Sequence, residues 1–187
     1  MRILQISSAS SFGGGERYLV DLANALQARG HEVWVALRPQ SPIVRHLHLP
    51  RHNIEVLPLR NALDASSARG LARLVKQNAI EVVHAHMARD YSLASYATRS
   101  YPKPKFFVTR HVLFPLNRLH RRILSNANKV IAVSKAVAQQ LAAERIVPND
   151  KIAVVANGID VDRFANACVG FDRNAFLMAW KDRKSVV

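Results

Sequence analysis

MRILQISSASSFGGGERYLVDLANALQARGHEVWVAL, residues 1–37, decides the fold. Arg2–Ile6 reads as a short buried strand, and Ser7–Gly15 is a loop of Ser and Gly. Across Glu16–Arg29, Leu19, Leu22, Ala23 and Leu26 recur at helical spacing, and Gly30 stands where a helix C-terminal cap belongs. Glu32–Leu37 is a second strand, closed by Pro39. Strand, helix and strand in one run make a crossover unit, which joins parallel neighbours in a sheet.

The same alternation continues outward. Ile54–Pro58 is a third short strand; Leu71, Leu74 and Val75 mark a helix before the strand Glu81–His84. A helix around Tyr91–Arg99 precedes the strand Lys105–Thr109, and a helical stretch near Leu116–Ala127 precedes Lys129–Val133. Ser134 is placed to cap a helix over Lys135–Glu144, and Lys151–Ala156 closes the series before the turn signal Asn157-Gly158. The expected fold is α/β: a Rossmann-like, doubly wound parallel sheet with helices on both faces. Such sheets bind ligands at the carboxyl ends of their strands. That rule selects Ser7–Glu16, His84–Arg89, Thr109–Phe114, Ser134 and Asn157-Gly158. After Phe164 no clear period is visible, and Ser185–Val187 resembles the start of another strand.

Composition bounds the function classes. The chain has 187 residues, 49% hydrophobic and 21% charged, which suits one well-cored domain. No stretch approaches the ~20 apolar residues of a membrane span, and Ile3–Ile6 is too short for a signal-peptide core. With the single cysteine, Cys168, this leads to the expectation of a cytoplasmic domain. The net charge is +14, and no acidic residue lies between Asp90 and Glu144, where Arg99, Lys103, Lys105, Arg110, Arg118, Arg121, Arg122, Lys129 and Lys135 fall. A positive face attracts nucleic acid, an anionic membrane or a phosphorylated substrate. No nucleic-acid-binding motif accompanies it, so nucleic acid is the least expected partner.

Four motifs could carry chemistry. Gly13, Gly14 and Gly15 precede Glu16 and Arg17 at a helix start, where the backbone can approach an anion closely. No Gly-Lys-Ser/Thr follows, as a P-loop requires. The third glycine of a dinucleotide fingerprint falls at Tyr18, and Arg38 stands where its ribose-binding acid belongs. His84-Ala85-His86 ends a strand; the expectation is that the rings diverge, one packing inward and His86 facing the cleft, with no metal site. Thr109-Arg110-His111 ends another, and His111 can donate to a substrate hydroxyl or stabilise developing charge. Asn157-Gly158-Ile159-Asp160, before Phe164, closes the last strand where a linker could begin. His31, His46, His48 and His52 read as structural.

In this order the motifs resemble the family 4 retaining glycosyltransferases of the GT-B fold, over roughly residues 1–165. The resemblance rests on Gly13–Glu16, Arg29-Gly30-His31-Glu32-Val33, His84-Ala85-His86, Thr109-Arg110-His111, Val133-Ser134, Pro148, Lys151-Ile152, Asn157–Asp160 and Phe164. It implies an N-terminal, acceptor-side domain, with residues 166–187 as a tail or the start of a donor-binding domain. The reaction implied is transfer of a sugar from a nucleotide sugar, with retention and without a metal or other cofactor. By position, Gly14 and Gly15 would lie against donor phosphates or acceptor, and His111 against the transferred sugar. His86, Arg17 and Arg110 would contact the acceptor, Ser134 would line the cleft, and Asn157-Gly158 would lead into a hinge. Gly13, Glu16 and Thr109 complete the implied substrate-binding set. The family's donor-binding glutamates stand seven residues apart, and no two glutamates here have that spacing. The implied partners are therefore a sugar acceptor such as a glycolipid or polysaccharide precursor, a donor-binding domain not contained in this chain, and an anionic membrane surface facing the basic region 99–135. Without the donor-binding domain, the expectation is an inactive half.

Overall fold

A computed structural model describes residues 1–99, 103–159, 161, 165 and 170–184. They build β1 (Arg2–Ser7), α1 (Gly14–Ala28), β2 (Glu32–Leu37), β3 (Ile54–Val56), α2 (Ala65–Gln77), β4 (Val82–Ala85), α3 (Tyr91–Ala97), β5 (Lys105–Arg110), α4 (Arg118–Leu124), β6 (Lys129–Ala132), α5 (Lys135–Ala143) and β7 (Ile152–Val154). A last helix, α6, spans Arg173–Lys184. The chain forms two compact units, Met1–Asn157 and Gly158–Val187.

The first unit is a seven-stranded sheet in the order β3-β2-β1-β4-β5-β6-β7, with every neighbouring pair parallel. The winding reverses between β1 and β4. Such a reversal opens a crevice at the carboxyl edge, because the loops leaving these two strands turn to opposite faces.

Strand alternation sorts the core into layers. Val33, Val35 and Leu37 of β2 pack with Leu19, Val20 and Ala23 of α1 on one side. Trp34 and Ala36 join Leu4, Ile6, Leu71, Val75, Phe106 and Val130 in the other cluster. This is the period-two pattern of a sheet covered on both faces.

Local chemistry sets the helix boundaries. At the end of α1 the Gly30 N–H donates to Gln27 C=O and the His31 N–H to Leu26 C=O. Gly30 takes φ +80°, the left-handed conformation that such a terminus needs and that glycine adopts without steric cost. Asp64 caps α2 by accepting from the Ser67 N–H, and Ser134 caps α5 by accepting from the Val137 N–H.

In the second unit, the expected absence of a helical period after Phe164 gives way to α6. Asp172 Oδ1 accepts from the Asn174 and Ala175 N–H groups and starts that helix. Its sequence, RNAFLMAWKDRK, is rich in helix formers without a single apolar stripe, so amphipathic periodicity could not reveal it. Asp160, Phe164, Cys168 and the expected strand at Ser185–Val187 lie outside the described residues.

Candidate functional site

A cavity of about 610 Å³ opens where β1, β4 and β5 end. The start of α1 supplies Gly14, Gly15 and Glu16; the loop after β4 supplies His86 and Arg89; the end of β5 supplies Arg110 and the loop after it His111, Val112 and Phe114; and α4 sends back His120.

The glycine wall follows from helix geometry. Gly14 and Gly15 are the first residues of α1, so their N–H groups have no acceptor within the helix. Glu16 Oε2 accepts from the Gly13 N–H at 2.8 Å, which holds the entry to the helix. A Cβ at Gly14 would meet no atom within 4 Å, and one at Gly15 would stand 3.5 Å from the His111 ring, an ordinary contact. The protein itself therefore leaves room for side chains there. The glycines keep open a surface on which a ligand can reach the backbone.

His111 forms the adjoining wall. Its ring meets Tyr18 edge-on at 5.0 Å and lies stacked at 5.9 Å from His86. Burial lowers its pKa and Arg110 lowers it further, against an opposing pull from Glu16. The imidazole is thus neutral near pH 7, and its Nε2 has no partner in the protein. A neutral ring carries one donor and one acceptor nitrogen, and a buried nitrogen left without a partner is one that a bound ligand hydroxyl could satisfy. The Arg110 guanidinium donates to the Phe114 carbonyl, which ties down the loop carrying His111.

Beneath the cavity lies a buried polar layer. His84 Nε2 pairs with Thr109 Oγ1 at 2.7 Å, and the His86 Nε2–H donates to Gln5 Oε1 at 2.7 Å. The His84 and His86 rings stand 4.2 Å apart. This corrects the expected divergence of the two histidines: alternate residues along a strand share a face. Both rings are buried, though His86 also borders the cavity. Asp90 Oδ2 accepts from the Ser8 N–H at 2.8 Å, and Tyr91 donates its hydroxyl to the Thr109 carbonyl at 2.8 Å.

This layer makes stability depend on acid. Burial pushes His84 down to about 3 and holds His86 well below its ordinary value of 6.5. A depressed imidazole binds its proton less readily in the folded chain than in the unfolded one. Its stabilisation is whole above pH 6.5 and drains as the pH falls towards about 3 for His84. Asp90 opposes this: burial raises it to about 6 from 3.8, so acid relieves its desolvation across that interval. Between pH 7 and pH 5, urea unfolding of His84→Gln should lose about 2 kcal/mol less stability than the parent chain. Equal losses would mean that His84 takes up a proton within the fold.

The structure gathers Gly14, Gly15, Glu16, His86, Arg110 and His111 around one cavity. The other expected residues take different places. Thr109 is fully buried beneath the cavity, Arg17 pairs with Asp21 at 3.1 Å on the outer face of α1, and Ser134 caps α5. Gly13 caps α1 next to the wall, Asn157 ends the first unit, and Gly158 begins the second. Arg89 and Phe114, at the ends of the strand-end segments 84–89 and 109–114, also line the cavity, and His120 joins them from outside every segment that the strand-end rule selects. His120 reaches the cavity because Asn117 caps α4 and also binds the His120 Nδ1 at 2.6 Å. Asn117 three residues before His120 was the one visible signal. Among the described residues, no three His, Cys, Asp or Glu side chains cluster as metal ligands. No helix among them is long and apolar enough to cross a membrane.

The model of the family described as Glycosyltransferase Family 4 matches residues 12–163. Among solved structures, a glycosyltransferase from Rickettsia africae ESF-5 is similar at TM-score 0.76 and 23% identity, over 98% of this chain and 49% of that one. HepE from Anabaena, solved with UDP and glucose, gives TM-score 0.66 at 20% identity, over 87% of this chain and 46% of its own. The lipopolysaccharide outer core galactosyltransferase WaaB gives 0.66 at 15%, over 86% and 47%. These likenesses speak for the fold, and this chain spans about half the length of each. No curated protein matches it.

Proposed function

Since the chain belongs to glycosyltransferase family 4, we propose that it is the acceptor-side half of a retaining transferase that moves a sugar from a nucleotide sugar to an acceptor held in the cavity of the first unit. One observation carries this reading: the open helix start at Gly14 and Gly15 and the neutral, unpartnered His111 share one cavity wall. A retaining transfer passes through an oxocarbenium-like state while a diphosphate departs. Backbone N–H groups at a helix start suit the departing negative charge, and a neutral imidazole suits a sugar hydroxyl beside the reacting carbon. Arg110 and His86 contact the acceptor, with Arg89 extending the cationic side of the cavity and His120, whose pKa burial lowers, adding an uncharged polar group. The donor nucleotide sits mainly on a second half, and this chain alone is inactive. An acceptor carried on a lipid brings the cationic stretch 99–135 to the inner face of a membrane.

The test joins this chain to a family donor-binding half and follows sugar-nucleotide consumption and anomeric configuration by NMR. Turnover with retention by the joined protein, and none by the chain alone, is the expected outcome. Turnover by the chain alone, or an inverted product, would overturn the proposal.

A further inference from the structure

A second concavity, of about 440 Å³, lies among α2, α3 and α4, and its lining is separate from that of the first. Arg69 of α2, Arg99 just beyond α3 and Arg122 of α4 all line it. Two helices and the segment just after a third thus bring one guanidinium each to one groove. Among the described residues the ion pairs are Arg2–Glu81 and Arg17–Asp21, so none of these arginines has a carboxylate. Arg99 lies over the Tyr96 ring at 5.9 Å. The acid bordering the groove, Asp64, is occupied: its oxygens accept from the Arg60 N–H, the Ser67 N–H and the Ser67 hydroxyl. Those bonds lower its pKa and keep it ionised, so one negative charge borders the groove against three guanidinium groups, none of which pairs with it.

The same groove has an apolar rim. Leu63 is 86% exposed, Leu119 61% and Tyr96 45%. Large apolar side chains held in water beside unpaired arginines gain nothing from a free phosphate or from a nucleic-acid backbone. They gain where an anionic headgroup meets hydrocarbon, with guanidinium on phosphate, tyrosine at the interface and leucine beneath it.

We infer that this groove is a docking site for anionic phospholipid headgroups of a bilayer, with Arg69, Arg99 and Arg122 holding phosphate and Leu63 and Leu119 entering the interface. The inference does not rest on sugar transfer, because it uses no residue of the first cavity. It also narrows the general attraction of a +14 chain to one place, and it includes Arg69, which lies outside the basic stretch.

The test is co-sedimentation of the chain with phosphatidylcholine vesicles, with and without phosphatidylglycerol. Binding should require phosphatidylglycerol. Each arginine near an anionic surface is worth roughly fivefold in partitioning, so Arg69→Ala/Arg99→Ala/Arg122→Ala should weaken binding about a hundredfold. Arg29→Ala/Arg45→Ala/Arg51→Ala, with equal charge removed elsewhere, should weaken it less than about tenfold. Leu63→Ser/Leu119→Ser keeps every charge and should still weaken binding several-fold. Equal losses in the two arginine triples would overturn the inference in favour of bulk charge. An ineffective leucine pair, with duplex DNA retained better than vesicles, would overturn it in favour of nucleic acid. A dimer in solution that either groove variant dissolves would assign the groove to a second copy of the chain.

Discussion

His111→Ala, made in this chain joined to a donor-binding half, should lower kcat by about 10²–10³-fold while KM for the acceptor moves only a few-fold. The ring stands against Tyr18 and His86, and neither contact is a hydrogen bond whose loss would unfold the loop. Arg110 continues to tie that loop through the Phe114 carbonyl. The variant therefore keeps the acceptor surface and loses one polar atom beside the reacting sugar. An interaction made chiefly in the transition state appears in kcat rather than in KM. His111→Asn, which retains a donor near the same place, should recover part of the loss. Unchanged turnover in the alanine variant would remove His111 from the chemistry, and a rise in KM alone would make it an acceptor contact.

Tyr91→Ala should be the most damaging single truncation among the residues beneath the cavity, at about 3–5 kcal/mol, by analogy with other buried aromatic side chains. The ring is 1% exposed at the first turn of α3, and it meets His120 edge-on at 6.3 Å. Its hydroxyl serves the carbonyl of Thr109, the residue before Arg110 and His111. Alanine would leave a void under the cavity and an unserved buried carbonyl together. Tyr91→Phe separates the two effects: it keeps the ring and should cost about 0.5–1.5 kcal/mol. Urea unfolding of the two variants measures both. A phenylalanine variant as unstable as the alanine variant would place the whole effect in the hydrogen bond.

Most of the fold was legible because each element of the first unit announces itself locally. β-branched runs mark the strands, Gly30 ends α1, and Ser134 starts α5, each through a bond or a dihedral that needs no distant partner. The site was legible where a motif ends a strand: Gly14, Gly15 and His111 meet because β1 and β5 end at the same edge of the sheet. It was not legible where position depends on packing. His120 sits within a helix whose neighbours in sequence are arginines, and only the return of α4 across the loop after β5 carries it to the cavity. The family resemblance implies Thr109 as a substrate contact. Alternation along β5 instead turns its side chain down to His84. Arg17 follows the glycines directly, but its guanidinium is taken up by Asp21, four residues on along the same helix face.

The placement of β1 bears on the order in which the chain can fold. Within its unit it is made before the other strands, yet it lies inside the sheet, between β2 and β4. While the ribosome is still extending the chain, Arg2–Ser7 can meet Glu32–Leu37 early, but its other edge stays unpaired until Val82–Ala85 has emerged. During that interval an apolar strand presents an open edge, the condition that invites off-pathway association. The helix start at Gly14 and Gly15 therefore waits for the second half of the domain before it has a wall to face.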